Sequence, residues 1–151
     1  MTDRSAPAPA DEPAASEPLP PERDAEAAAL IAATGREPEP AGLLAALRAD
    51  PAATLYGVVK NGALAAVYGL KKVGLTLELR PLAAASNWDE WLALKEAVAR
   101  AGRWSVVVET SEADAATYLQ MGFRKVSRRR GPDGEPRYRL GWHTPTRRHP
   151  R

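Results

Sequence analysis

The spacing of hydrophobic positions near the N-terminal end of the chain is helical. Residues 24–35 (DAEAAALIAATG) and 41–50 (AGLLAALRAD) repeat apolar residues at the spacing of amphipathic helices. Asp24 is expected to cap the first helix and Gly35 to end it. Prolines flank the second helix on both sides, where they suit a helix start and a helix stop. The pattern therefore predicts two short helices in succession.

From residue 54 the period shortens to that of β-strands. Strands are predicted over 54–60 (TLYGVVK), 63–72 (ALAAVYGLKK) and 75–81 (LTLELRP). The Asn61–Gly62 pair between the first two is the strongest short signal for a β-hairpin. In the third strand, leucine alternates with polar residues from Leu75 onward, as expected when one face of a strand is buried.

The second half of the chain alternates helices with strands. Helices are predicted over 86–102 and up to Gly122, and strands over 104–110, 123–130 and 137–142. Asn87, followed three residues later by Glu90, has the pattern of a capping box, and the tryptophans of the first of these helices fall on a stripe that is expected to face the core. The order α-α-β-β-β-α-β-α-β-β predicts one α/β domain, with a mixed central sheet of about six strands and helices on both faces.

Composition separates both ends of the chain from this domain. Six of the 14 prolines lie within residues 1–22, which hold a single leucine. Such a segment buries too little apolar surface to offset the conformational entropy of the chain. We therefore predict that residues 1–22 are disordered and dispensable for folding, that residues 23–143 form the domain, and that residues 144–151 form a flexible basic tail.

Several functional classes are excluded by residue content. The chain has no cysteine, which removes disulfides, thiolate metal ligands and cysteine nucleophiles. Because His143 and His149 both lie near the C-terminus without a second ligand at suitable spacing, we expect neither a metal site nor a Ser-His-Asp set. No apolar run approaches the roughly 18 residues of a membrane span, and no signal-peptide pattern is present. We expect a cytoplasmic protein, and the abundance of alanine and arginine is typical of a GC-rich bacterial source.

Positive charge is concentrated at the C-terminal end. The net charge is +2, yet residues 124–151 hold ten Lys/Arg against two acidic residues, which leaves 11 basic against 17 acidic residues elsewhere. Two interpretations stay open. The basic run is either a solvated edge strand with a loose tail, or a surface that binds polyanions weakly and without sequence preference, with Tyr138 and Trp142 available for base stacking.

The segment TYLQMGFRKV, residues 117–126, carries the most specific local signal. Gly122 suits the left-handed position just past a helix end, and Phe123 then begins a strand. With Tyr118 four residues before this glycine, and with the order of elements above, the chain resembles the GNAT N-acetyltransferase superfamily. The resemblance covers roughly 120 residues, from the first helix to Trp142. The family has a further strand before the first helix, which this sequence does not show.

The resemblance implies a chemistry as well as a fold. In the family, the tyrosine that matches Tyr118 often protonates the departing thiolate of coenzyme A, and a glutamate on the fourth strand, matched here by Glu78, is a general base in some members. The implied reaction is acyl transfer from acetyl-CoA to an amine substrate. The residues expected to line the cofactor site are Leu79, Leu82, Ala85, Ser86 and Asn87.

Each of these residues also has a purely structural interpretation. Tyr118 suits a core tyrosine with a bonded hydroxyl. Glu78 suits an ion pair across the strand face with Arg80, Lys60 or Arg139. Asn87 suits a helix cap.

The loop that should hold the diphosphate of coenzyme A departs from the family pattern. Members usually carry Arg/Gln-x-x-Gly-x-Gly/Ala there, whereas residues 83–90 (AAASNWDE) contain neither glycine nor a basic residue. Asp89 and Glu90 in the first helical turn favour the helix but oppose an anion. We therefore expect acetyl-CoA to bind in the high-micromolar range or more weakly. The alternative function is a catalytically inactive GNAT-like domain that binds an acidic partner or nucleic acid through its basic end.

Overall fold

The order of elements predicted from the sequence is confirmed, with one strand added at the N-terminal end. A computed structural model describes residues 16–143, so the predictions for 1–15 and 144–151 fall outside the described residues. The elements are β1 Glu17–Pro18, a 3₁₀ turn Pro21–Arg23, α1 Asp24–Thr34, α2 Pro40–Ala49, β2 Ala53–Lys60, β3 Ala63–Val73, β4 Thr76–Ala84, α3 Asn87–Ala101, β5 Ser105–Ser111, α4 Glu112–Met121, β6 Arg124–Arg130 and β7 Pro136–Trp142. Within this range, no helix is long and apolar enough to cross a membrane.

The seven strands form one mixed sheet in the order β1-β2-β3-β4-β5-β7-β6. Neighbouring strands are antiparallel except β4 and β5, whose parallel pairing is made by the crossover through α3. β4 and β5 are paired only from Thr76–Ser105 to Glu78–Val107. Beyond these residues the two strands separate, and we call the gap between residues 79–84 and 108–111 the β4–β5 opening.

Helices cover both faces of the sheet, as predicted. Helices α1 and α2 pack on one face around a cluster that includes Ile31, Leu44 and Leu55. Helices α3 and α4 pack on the other face around a larger cluster that includes Leu94 and Leu140. Since α3 and α4 follow β4 and β5 directly, both helices begin at the mouth of the opening.

The N-terminal boundary of the domain was predicted wrongly. Ser16 and Leu19 are both buried, and the backbone N–H of Leu19 donates to the Leu55 carbonyl at 2.9 Å. The Ser16 hydroxyl bonds that of Tyr68 at 2.7 Å, and Arg100 donates to the Ser16 carbonyl at 2.8 Å. Residues 16–22 are therefore part of the domain and supply the strand that the sequence did not show. The average composition of residues 1–22 is poor in apolar residues, but buried Leu19, the edge of β2 and the bonds of Ser16 hold the end of the segment on the domain.

The start of α3 also differs from the prediction. Ser86 is the N-cap, and its hydroxyl oxygen accepts from the N–H of Asp89 at 3.1 Å, whereas Asn87 is the first helical residue and is exposed. Similarly, Asp24 does not cap α1, because the 3₁₀ turn before it leads directly into the helix and gives Asp24 helical dihedrals.

The tryptophan stripe of α3 does not face the core. Trp88 is 62% exposed and stacks on Trp91 with ring centroids 5.4 Å apart. The buried face of α3 consists of Ala93, Leu94, Ala97 and Ala101. Small alanine side chains let the helix approach the sheet closely, so they displace the larger residues from the contact.

Leu75 is 84% exposed, because it lies in the turn before β4.

Candidate functional site

The β4–β5 opening leaves one edge of β4 without a strand partner. Residues 79–84 remain paired with β3 on one side, while the last four residues of β5 pair with β7 on its far side. No strand within residues 16–143 therefore hydrogen-bonds the backbone of β4 along the opening. The N-termini of α3 and α4, where unpaired N–H groups and the positive ends of the helix dipoles lie, flank the same place.

Arg36 lies at this place. It follows Gly35, which ends α1, and its guanidinium makes three contacts there. Nη1 donates to the Leu82 carbonyl at 3.2 Å and to Glu90 Oε2 at 2.8 Å, and Nε donates to Asp114 Oδ2 at 3.1 Å. Burial favours a lower pKa for Arg36, but the bond and charge of Glu90 and the charge of Asp114 outweigh it, so the pKa is raised. Arg36 therefore stays charged and joins α3, α4 and the free edge of β4.

Tyr118 lies beside this ion-pair group. It is 6% exposed, and its ring packs against Phe123 in an edge-on arrangement with centroids 5.4 Å apart. Burial raises the pKa of its hydroxyl well above the usual range, while the charge of Arg36 partly opposes the rise. The hydroxyl is protonated at neutral pH, as an unburied tyrosine is, and burial extends this form to more alkaline pH. The protonated form is the one from which a general acid donates.

The helix end that places Tyr118 has the geometry predicted from the sequence. Gly122 has a φ of 117°, in the left-handed region. Its N–H donates to the Leu119 carbonyl, and the N–H of Phe123 donates to the Tyr118 carbonyl at 3.0 Å. These two bonds close a Schellman motif, which ends α4 and returns the chain at once toward β6.

Glu78 is the last β4 residue paired with β5 and is half-buried. Its neighbour Leu79 packs in the α3–α4 cluster, so alternation directs the Glu78 side chain to the opposite face of the sheet. The structure therefore does not bring Glu78 and Tyr118 together on one face. Two of the suggested ion-pair partners of Glu78 pair elsewhere, since Lys60 bonds Asp89 and Arg80 bonds Glu37, each at 2.7 Å.

The structure places the five residues expected to line the cofactor site in different environments. The side chains of Leu79 and Leu82 are buried in the core, and the N–H of Ala85 donates to a β3 carbonyl at 2.8 Å. Ser86 is engaged as the cap of α3, and Asn87 is exposed. The Leu82 carbonyl does face the opening, but Arg36 holds it.

The first turn of α3 is occupied by ion pairs. Asp89 accepts from Lys60 at 2.7 Å and from the Ser86 hydroxyl at 2.9 Å. Burial favours a higher pKa for the Asp89 carboxyl, but these two bonds lower it further than burial raises it. With Glu90 held by Arg36, the turn presents two carboxylates where a diphosphate would need donors and cations. The residues here do not fit the diphosphate of coenzyme A.

Sequence reasoning missed Arg36 and its neighbour Glu37. Both lie in the short segment GREPEP between two predicted helices, where an arginine and a glutamate look like ordinary surface residues. Glu37 accepts three hydrogen bonds from Arg80 on β4, at 2.7 to 3.2 Å, and the bond raises the pKa of Arg80. No local pattern announces these contacts, because their partners lie 43 to 78 residues away along the chain.

Solved structures with the same fold include several acetyltransferases. The ribosomal-protein-S18-alanine N-acetyltransferase from Escherichia coli superposes with a TM-score of 0.72 at 17% identity, over 85% of this chain and 92% of that one. An aminoglycoside 6′-N-acetyltransferase complexed with coenzyme A gives 0.67 at 15% identity, over 89% and 99%. A protein described as an acetyltransferase of the GNAT family from Desulfovibrio desulfuricans gives 0.70 at 16% identity, over 85% and 98%.

These likenesses establish the fold: the chain is an α/β protein with the GNAT fold. The sequence significantly matches no protein-family model and no curated protein. Within residues 16–143, no group of three or more acidic, histidine or cysteine side chains is arranged to hold a metal ion.

Proposed function

We propose that this chain is a GNAT-fold domain that works by binding a partner and does not transfer acetyl groups from acetyl-CoA. The observation that supports this is the contact of Arg36 with Glu90, Asp114 and the Leu82 carbonyl. It fills the mouth of the β4–β5 opening with the chain's own ion pairs. It also explains why acidic residues are tolerated at the start of α3, where a diphosphate-binding loop would exclude them.

The partner that we propose is the phosphate backbone of a nucleic acid, bound at β6. All seven residues of this edge strand are exposed, and five of them are basic: Arg124, Lys125, Arg128, Arg129 and Arg130. Among the described residues, Arg129 is the one of these five that forms an ion pair, with Glu109 at 2.6 Å. A cavity of about 250 Å³ lies against residues 128–130. Tyr138 is half-buried next to this strand, with the Lys125 ammonium 4.7 Å from its ring centroid.

The proposal is tested by titrating labelled single-stranded oligothymidine into the protein and following fluorescence anisotropy. Arg128→Ala/Arg130→Ala should weaken binding at least tenfold. The control, Arg23→Ala/Arg48→Ala, removes the same charge from the other end of the sheet and should change it less than twofold. Binding should also weaken steeply between about 50 and 200 mM salt, as counterion release requires. An equal loss of affinity in the β6 variant and in the control, or no binding at low salt, would reject a nucleic acid as the partner. Binding of an acidic protein but not of the oligonucleotide would point to an acidic protein partner instead.

Acetyl transfer to an amine is the second candidate, and the protonated Tyr118 hydroxyl beside the opening favours it. In that case Tyr118 is the general acid and Glu78, on the opposite face and acting through water, the general base. Calorimetric titration with acetyl-CoA and desulfo-CoA separates the two functions. We expect dissociation constants in the high-micromolar range or weaker. A low-micromolar value, together with turnover that Tyr118→Phe slows without changing binding, would establish the transferase instead.

A further inference from the structure

The segment between α1 and α2 contacts helices that lie on the opposite face of the sheet. Helices α1 and α2 pack on one face of the sheet, whereas Glu90 and Asp114 belong to the first turns of the helices on the other face. The side chain of Arg36 reaches across the mouth of the β4–β5 opening to join them. The side chain of Arg36 is 36% exposed and that of Glu90 is 16% exposed, so this ion pair is only partly covered.

Two consecutive residues fasten this segment to β4. Arg36 bonds the Leu82 carbonyl on the free edge, and Glu37 bonds the side chain of Arg80, two residues earlier on the same strand. An extended ligand would need this edge for its own hydrogen bonds, as a neighbouring strand does. Arg36 therefore occupies one backbone acceptor of this edge, and Glu37 holds the side chain of Arg80 beside it.

The charges at this point oppose an anion. One guanidinium lies between two carboxylates, so Arg36, Glu90 and Asp114 together carry a net charge of −1. Both carboxylates lie in first helical turns, where the helix dipole stabilises negative charge. The positive ends of the two helices, which otherwise attract phosphate, are thus neutralised by side chains of the chain itself.

We infer that Arg36 is a specificity-determining residue that closes the β4–β5 opening to phosphorylated ligands for as long as Glu90 and Asp114 hold it. Neutralising both carboxylates changes the net charge of the three residues from −1 to +1 and leaves Arg36 free to bind an anion between two helix N-termini. The inference rests on the proposed function in one respect, that the unmodified protein binds acetyl-CoA weakly. It adds which residues keep phosphorylated ligands out of the β4–β5 opening.

The experiment compares Glu90→Gln/Asp114→Asn with the same variant carrying Arg36→Ala as well. The probes are inorganic pyrophosphate and desulfo-CoA, titrated by calorimetry. The double variant should bind both probes at least tenfold more tightly than the unmodified protein, and the triple variant should lose that gain. The matched control is Asp24→Asn/Asp50→Asn, which neutralises two carboxylates that pair with Arg48 and Lys71 elsewhere and should leave affinity unchanged.

Every outcome of this experiment either supports or overturns the inference. No gain in a folded double variant, a gain that survives Arg36→Ala, or an equal gain in the control would overturn the inference. Melting curves establish that the variants are folded. If the double variant is unfolded, Glu90→Gln alone, which brings the net charge of the three residues to zero, must still tighten binding of pyrophosphate, and its failure to do so counts equally against the inference. Low-micromolar binding of acetyl-CoA by the unmodified protein would instead reject the proposed function.

Discussion

Gly122 lies against the indole ring of Trp142, and a Cβ atom at residue 122 would come within 2.7 Å of Cζ3. The backbone there also has a φ of 117°, which residues with a side chain rarely adopt. We expect Gly122→Ala to lower the free energy of unfolding by about 2 kcal/mol or more, since a left-handed backbone costs about 1–2 kcal/mol and overpacking adds to it. Gly122→Val should cost more. Urea denaturation measures both.

Gly35→Ala is the matched control for this prediction. Gly35 also has a positive φ, of 69°, but no atom lies within 4 Å of the position that a Cβ would take there. Gly35→Ala should therefore lower the free energy of unfolding by about 1 kcal/mol, the cost of a left-handed backbone alone. Equal losses at the two glycines would mean that contact with Trp142 contributes nothing.

Leu19 ties the N-terminal segment to the domain. It is 3% exposed and packs in the cluster beneath α1 and α2, and a Cβ at Gly57 would lie 2.8 Å from its Cδ1. Leu19→Ala should therefore lower the free energy of unfolding by about 2–4 kcal/mol in urea denaturation. Leu75→Ala, at a leucine that is 84% exposed, should change it by less than about 0.5 kcal/mol. Similar small effects at both positions would show that residues 16–22 are dispensable after all.

The fold was predictable from the sequence because most of its signals are local. The Asn61–Gly62 hairpin has positive φ at both residues, 54° and 80°, as its turn type requires. The end of α4 at Gly122 was likewise visible from a few neighbouring residues. Each of these signals is decided by backbone sterics within a turn, so tertiary contacts have little room to override it.

The candidate site was less predictable, because its decisive contacts are distant along the chain. Tyr118 was predicted from its place before Gly122 and stays a prediction, whereas Arg36 could not be predicted because its partners lie 46, 54 and 78 residues away. The two-residue strand β1 pairs with the edge of β2, and two residues are too few to show a hydrophobic period. Periodicity also assigned the wrong face of α3 to the core, since alanine contributes little to a hydrophobic stripe yet packs most closely.

The cap of α3 gives a prediction that separates two adjacent residues. The Ser86 hydroxyl accepts from the Asp89 N–H and also donates to its carboxylate, whereas Asn87 already has helical backbone. Ser86→Ala should lower the free energy of unfolding by about 1 kcal/mol. Asn87→Ala should be neutral or slightly stabilising, because alanine has the higher helix propensity. A larger loss at Asn87 than at Ser86 in thermal denaturation would contradict this assignment of the cap.

The buried hydroxyl of Tyr118 predicts how stability depends on alkaline pH. An unfolded tyrosine ionises near a pKa of about 10, whereas burial raises the pKa of Tyr118 in the folded chain. Below pH 10 both states keep the proton, so the contribution to stability is fully present. Above pH 10 the unfolded state loses the proton first, and the free energy of unfolding falls by up to about 1.4 kcal/mol per pH unit until the folded pKa is reached.

Tyr118→Phe removes this titration while it keeps the ring. Its free energy of unfolding, measured in urea between pH 9 and pH 11, should therefore decline less steeply than that of the unmodified protein. Burial also raises the pKa of Tyr68, so Tyr68→Phe should flatten the profile as well. A Tyr118→Phe profile parallel to that of the unmodified protein would show that the Tyr118 hydroxyl ionises in the folded chain as it does in water. That result would mean that burial beside the β4–β5 opening does not shift the pKa of this hydroxyl.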